Sequence, residues 1–166
     1  MLVLGIDPGS VRTGWALVDG DAGRAAMVQA DVISLPAKME FPARMALLLE
    51  RFAAVLEAAR PDIAVVEAPF HGVNARSALQ LAHARGVILA VLGGREIPVE
   101  EYSPATIKKT VTGSGRADKD QVRRMVQSVL SVRLADDSTD LSDALAAAYS
   151  HLAHSGLQAA IARSRS

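Results

Sequence analysis

A mixed β-sheet flanked by helices, an α/β fold, is what this sequence predicts, and three observations carry the prediction. Three short apolar runs separated by turn signals open the chain. Helical and strand periodicities then alternate along the remainder. Within that alternation, Ile63-Ala64-Val65-Val66 is apolar at every position, the pattern of a strand covered on both faces.

Leu2 to Ile6 forms a first strand that ends at Asp7, and Pro8-Gly9-Ser10 turns the chain. Trp15 to Val18 is the second strand, closed by the turn dipeptide Asp19-Gly20. Met27 to Leu35 is the third and stops at Pro36, so the opening reads as an antiparallel meander. Phe41, Met45, Leu48, Phe52, Val55 and Ala59 recur at helical spacing, and Pro61 ends that helix. After the buried strand and Glu67, a long apolar helix runs from about Asn74 to Leu92 and stops at Gly93-Gly94. Ile97 to Val99 is a short strand. Helices near Pro104–Val111 and Lys119–Leu130 flank the Gly113-Ser114-Gly115 loop, and a last helix runs from near Asp140 to about His154. The order is β-β-β-α-β-α-β-α-α-α. With no repeat, low-complexity tract or linker, residues 1–166 are expected to form one domain with a frayed tail from about 156.

Half of the residues are hydrophobic, which is a globular composition. The absence of cysteine excludes disulfides and thiolate metal sites. No apolar stretch approaches the roughly 18 residues of a membrane span. A cytoplasmic protein is the expectation. Net charge is zero but uneven: ten Lys/Arg face five Asp/Glu between residues 71 and 133, against six and nine in residues 1–70 and two and four in 134–166. A basic middle of this size suits a polyanion only if the acids elsewhere form a site of their own.

Four acids meet that condition. Asp7 and Glu67 each close an apolar strand, and ligand sites in such sheets gather where strands end. Asp140 and Asp143 lie three apart at the start of the last helix, roughly 60° apart around its axis. Leu141, Leu145, Ala148 and Leu152 form the apolar stripe that presses this helix onto the sheet. Clustered carboxylates repel unless a cation neutralises them, and hard oxygen donors without thiolates suit Mg2+ or Mn2+. Two such ions roughly 3.5–4 Å apart hydrolyse phosphodiesters by activating water and stabilising the leaving oxygen. Each acid also has a plainer explanation: Asp7 as a turn former, Asp140 and Asp143 as helix-start residues with Ser138 or Thr139 as the cap. The spacing alone does not prove that the four converge.

The motifs Leu4-Gly5-Ile6-Asp7-Pro8-Gly9-Ser10 with Thr13-Gly14, Val66-Glu67 with Phe70, and Asn74-Ala75 through Ala84-Arg85-Gly86 follow one another in order. Then come Glu101-Tyr102, Lys108, Thr110-Val111, Gly113, Gly115, Lys119, Gln121-Val122 and Met125-Val126, and last Asp140-Leu141-Ser142-Asp143-Ala144-Leu145-Ala146. This set resembles the RuvC family of Holliday junction resolvases over about residues 2 to 152. The resemblance implies a ribonuclease-H-like fold with a five-stranded mixed sheet flanked by helices. It implies an endonuclease that resolves Holliday junctions by paired nicks in opposed strands, leaving 5′-phosphate and 3′-hydroxyl ends, in recombination and DNA repair. It implies a homodimer on four-way-junction DNA, two Mg2+ per site with Mn2+ as a substitute, and branch-migration helicase proteins as partners.

By the same resemblance Asp7, Glu67, Asp140 and Asp143 are the metal ligands and catalytic carboxylates. The Asp140 position is histidine in some relatives. Lys108 and Lys119 match basic residues near the scissile phosphate and join the catalytic set. Phe70 matches an aromatic placed at the junction's crossover, where it would wedge against unstacked bases; a core phenylalanine is the plainer alternative. Arg76, Lys109 and Arg123 complete the expected DNA contacts with Phe70, Lys108 and Lys119. Departures stand at Pro69 and His71, beside Glu67, and in a tail with only Arg163 and Arg165 as basic residues. Three rivals share parts of this pattern: one lobe of an actin-type ATPase, a related nuclease acting on RNA, and a non-catalytic module that binds branched DNA.

Overall fold

The computed structural model describes residues 1–21, 23–68, 74–135 and 139–164, with the backbone alone from 157 onward. Its elements are β1 (Leu2–Asp7), β2 (Arg12–Gly20), β3 (Ala25–Ser34), α1 (Phe41–Ala59), β4 (Ile63–Glu67), α2 (Ala75–Gly93), β5 (Val99–Tyr102), α3 (Pro104–Thr112), α4 (Lys119–Val129) and α5 (Thr139–Ser164). The five strands form one sheet in the order β3-β2-β1-β4-β5. β1 pairs antiparallel with β2, and β2 with β3. β1–β4 and β4–β5 are parallel. The expected meander thus joins a strand-helix-strand half, with α2 as the crossover between the parallel strands β4 and β5.

Because side chains alternate across a strand, the sheet builds one core on each face. Leu4, Ile6, Ala64 and Val66 point into a core with Met45, Leu48, Phe52 and Leu56 of α1 and Ala84, Ile88 and Leu92 of α2. Val3 and Val65 point the other way, against Ile107 and Val111 of α3, Val122 and Val126 of α4, and the Ala144–Ala148 run and Leu152 of α5. Both central strands are therefore apolar throughout, as their composition requires.

Two glycines let α5 lie directly on the sheet. A Cβ at Gly5 would stand 2.0 Å from the Ala144 carbonyl oxygen and 2.7 Å from the Ala148 nitrogen. A Cβ at Gly14 would stand 2.2 Å from the Asp140 carbonyl oxygen. The alanine run of α5 meets β1 with no side chain between the two backbones, which fixes the height and register of the helix start.

Boundaries differ from the expected ones at β2, which already begins at Arg12 and not Trp15, at β5 and at the end of α5. The fifth strand occupies Val99–Tyr102 and not Ile97–Val99, because the Ile97 N–H is used to close α2 on the Leu92 carbonyl and the ladder with β4 opens only at the Pro98 carbonyl, which accepts from the Ala64 N–H. Its two glutamates, Glu100 and Glu101, hide an edge strand from a search for apolar alternation. α1 spans Phe41–Ala59 as its spacing predicts, with Arg60 in the left-handed region (φ 45°) ahead of Pro61. α5 continues to Ser164, so the backbone beyond His154 is helical where fraying was expected. Gly156 alone costs about 1 kcal/mol against alanine in a helix interior, too little to end one that is already packed. Among the described residues no helix is long and apolar enough to cross a membrane.

Replacing Gly5 by valine should force α5 away from β1. A loss of about 2–3 kcal/mol is expected, seen as a fall of roughly 5–10 °C in Tm by thermal unfolding. An unchanged Tm would mean that α5 does not seat on the sheet at Gly5.

Candidate active site

The alternation that builds the cores also aims the acids. Asp7 shares its parity with Val3, and Glu67 with Val65, so both carboxylates leave the sheet on the α3–α5 side. They stand one step beyond the Ile6–Val66 pair on neighbouring parallel strands, which brings them side by side. On that side α5, seated on Gly5 and Gly14, supplies Asp143 one turn into the helix. Asp7, Glu67 and Asp143 line one cavity of about 560 Å³.

Two lysines share the same cavity wall. Lys108 comes from α3, whose start is set by Ser103: its hydroxyl caps the Thr106 N–H, and Pro104 follows at the first helical position. Lys119 is the first residue of α4. The Asp118–Gln121 capping box fixes that helix start, and so the place where the Lys119 side chain leaves it. Ile107, Val122 and Ala146 give the cavity an apolar side.

The charges are only partly balanced. Lys119 Nζ donates to Asp143 Oδ2 at 2.9 Å, and Arg12 Nε donates to Asp140 Oδ2 at 2.6 Å. Among the described residues neither Asp7 nor Glu67 forms an ion pair, and both pay for it in proton affinity. Burial, with Asp143, Glu67 and Asp140 adding their charge, pushes the Asp7 carboxyl up to about 8. Burial and the Asp143 charge push Glu67 up as well, with Lys119 and Lys108 pulling the other way. The Lys119 ammonium is raised, first by its hydrogen bond to Asp143.

This donor set fits a hard divalent cation in its chemistry: oxygen ligands, no thiolate, and two carboxylates whose negative charge is costly without a counter-ion. The ligand ring is not closed. Among the described residues no three Asp, Glu or His side chains stand close enough to cage one ion. Asp143 and Asp140 each have one carboxylate oxygen held by a cationic side chain, so a metal ion that drew in all four acids would compete with Lys119 and Arg12 for their charge.

The other expected DNA contacts fall out as follows. Lys109 and Arg76 are exposed, outside the cavity, on α3 and at the start of α2. Arg123 donates to the carbonyls of Leu134 and Ala135, and so fastens the chain after α4. Phe70 lies outside the described residues, as do His71 and the candidate cap Ser138. Two residues at the site were not anticipated. Arg12 holds Asp140 across a sequence separation of 128, which no local pattern announces. Arg85, paired with Glu101 at 2.6 Å, lines a smaller cavity of about 120 Å³ that also touches Asp7 and Glu67. The only signal for it was its place in the Ala84-Arg85-Gly86 motif.

A five-stranded mixed sheet with acids at the ends of two adjacent strands, and further acids on the helix crossing them, defines the ribonuclease-H-like class. Over residues 3–151 the sequence matches the family described as Crossover junction endodeoxyribonuclease RuvC, and the chain belongs to that family. The RuvC of Syntrophomonas wolfei is 40% identical over 152 residues, 92% of this chain and 88% of its own. Among solved structures, T. thermophilus RuvC in complex with Holliday junction substrate superposes with a TM-score of 0.88 at 29% identity, covering 95% of this chain and 96% of that one. The yeast mitochondrial Holliday junction resolvase, at 16% identity and a TM-score of 0.68 over 95% of this chain and 82% of its own, shares the fold.

The raised Asp7 carboxyl has a consequence for stability. The folded protein retains a proton there up to about pH 8, whereas the unfolded chain loses it near 3.8, so without metal this group's contribution falls as pH rises through that interval. Asp7→Asn should therefore raise Tm in EDTA by roughly 10 °C at pH 9, with the gain fading towards pH 4. A pH-independent difference in melting would contradict the burial of this charge.

Proposed function

We propose that this protein resolves four-way DNA junctions by paired symmetric nicks in opposed strands, in recombination and repair. The observation that carries the proposal is the meeting of Asp7, Glu67 and Asp143 with Lys108 and Lys119 on one cavity, in a chain of the RuvC family. The T. thermophilus relative holds Holliday junction substrate, which supports the same substrate here.

Asp7, Glu67, Asp140 and Asp143 would hold Mg2+, two ions per site with Mn2+ as a substitute, and the bound metal would supply activated water and countercharge for the leaving oxygen. Lys119 and Lys108 stand where a phosphodiester would enter, and they grip its non-bridging oxygens. On entry of the substrate the Lys119 ammonium exchanges the Asp143 carboxylate for the phosphate. The apolar side formed by Ile107, Val122 and Ala146 keeps bulk water from the reacting bond. The products carry 5′-phosphate and 3′-hydroxyl ends, which a ligase can rejoin. Phe70 wedges at the crossover, while Arg76 and Lys109 hold the arms by their phosphates. Arg123, which also donates to the Leu134 and Ala135 carbonyls, is a further DNA contact on this surface.

Two cuts related by symmetry call for two sites, and a homodimer provides them. Leu79 on α2, 61% exposed, offers apolar surface for a self-complementary contact. Branch-migration helicase proteins are the partners that deliver such junctions, and the cytoplasm is where both work.

Cleavage of a synthetic four-way junction, beside linear duplex and RNA–DNA hybrid, tests this with Mg2+, Mn2+ or EDTA present. Paired nicks on the junction alone, abolished by EDTA, are expected; cutting of the hybrid would make the protein an RNA-directed nuclease instead. Asp7→Asn and Glu67→Gln should each slow cleavage at least ~10²-fold while leaving junction binding in place. Phe70→Ala should lower the cleavage rate with little change in Tm, and a large fall in Tm would assign Phe70 to the core.

A further inference from the structure

Asp140 is the one candidate acid that does not share the cavity wall with Asp7, Glu67 and Asp143. Its Oδ2 is bound instead by Arg12 Nε at 2.6 Å. The two backbones are fixed where they stand. Arg12 begins β2, and the buried hydroxyl of its neighbour Thr13 bonds both the N–H and the carbonyl of Gly9, closing the turn that leads into the strand. Two residues further on, Gly14 lies against the Asp140 carbonyl so closely that no Cβ fits between them. The freedom left to the pair is therefore in its side chains. The Arg12 side chain is 52% exposed, whereas Asp140, at 24%, lies at the edge of the acidic cluster.

We infer that Arg12 is an internal counter-ion that competes with a divalent cation for the Asp140 carboxylate and so sets the metal affinity of the site. The inference rests on the reading of the acids as metal ligands. A carboxylate held by a guanidinium must either give up that charge-assisted hydrogen bond or share its charge between the guanidinium and a metal ion. The neighbouring positive charge also repels an approaching cation. Both effects weaken metal binding, and both vanish when Arg12 is neutral. In the metal-free protein the same contact relieves repulsion between Asp140 and Asp7, so Arg12 steadies the empty acidic site at the expense of the filled one. Arg12 is thus a positioning residue, acting through Asp140 and not on the substrate.

Calorimetric titration of Mn2+ into the full-length chain, at fixed pH and ionic strength, tests this with Arg12→Gln, Arg12→Lys, Asp140→Asn and the Arg12→Gln/Asp140→Asn pair. Arg12→Gln should tighten the Mn2+ Kd roughly two- to fivefold, the size expected of a partly exposed ion pair. Arg12→Lys, which keeps the charge but not the fork, should fall between wild type and Arg12→Gln. Asp140→Asn should weaken binding, and in that background Arg12→Gln should add clearly less than it does alone, because only the charge repulsion remains to be relieved. Weaker binding by Arg12→Gln would overturn the inference and make Arg12 an aid to metal binding. An equal gain with Asp140→Asn present would also overturn it, by showing a general field effect. Melting curves in EDTA identify any variant that fails to fold; if Arg12→Gln does, the intermediate Kd of Arg12→Lys decides. Wild-type protein that binds no Mn2+ would end the metal reading of the acids altogether, whereas wild-type binding with an unchanged Kd in Arg12→Gln would end this inference alone.

Discussion

The close seat of α5 on β1 and β2 is the contact on which the rest of the structure depends. Gly5 and Gly14 leave no side chain between the helix backbone and the sheet, and the alanines of α5 keep its facing side flat. That seat does two things at once. It completes one of the two cores, and it sets the start of α5 beside the ends of β1 and β4. Packing and chemistry thus share one interface, so a change that lifts the helix would disturb the acids before it unfolded the domain.

The electrostatic cost of the site follows from this packing. Asp7 and Glu67 are drawn from water by the same elements that bring Asp143 and Asp140 near them, and each carboxylate raises the proton affinity of Asp7. A protein interior does not hold unneutralised like charges cheaply. Protonation, lysine, arginine and a bound metal ion are four ways of meeting that cost. Three of them are present in the structure: the raised Asp7 carboxyl, Lys119 on Asp143, and Arg12 on Asp140. In the reading proposed above the fourth replaces them when the enzyme works.

Much of this was legible in the sequence, for physical reasons that differ by element. Asp7 and Glu67 announce themselves because each ends an apolar strand, and period-two alternation then dictates that they leave on the same side. The helical stripe of α5 and the i, i+3 spacing of its aspartates are local patterns of the same kind. Where a residue's role comes from contact between distant segments, the sequence was silent. Arg12 meets Asp140, and Arg123 meets the Leu134 and Ala135 carbonyls, through tertiary structure alone. β5 was misplaced because an edge strand with Glu100 and Glu101 has no apolar alternation to reveal it. The basic residues divide in the same way: charge counting selects Lys108, Lys109, Lys119 and Arg123 alike, the family resemblance picks out Lys108 and Lys119, and the fold puts those two on the cavity wall.

The central claim is that the four acids hold a divalent cation together although two of them are engaged by cationic side chains when metal is absent. Anomalous scattering from crystals soaked in Mn2+ tests it most directly. Peaks among Asp7, Glu67, Asp140 and Asp143, with Asp143 turned from Lys119 and Asp140 from Arg12 towards the ions, are the expected result. No peak at these residues under saturating Mn2+, or a peak elsewhere with the Lys119–Asp143 and Arg12–Asp140 pairs intact, would contradict it.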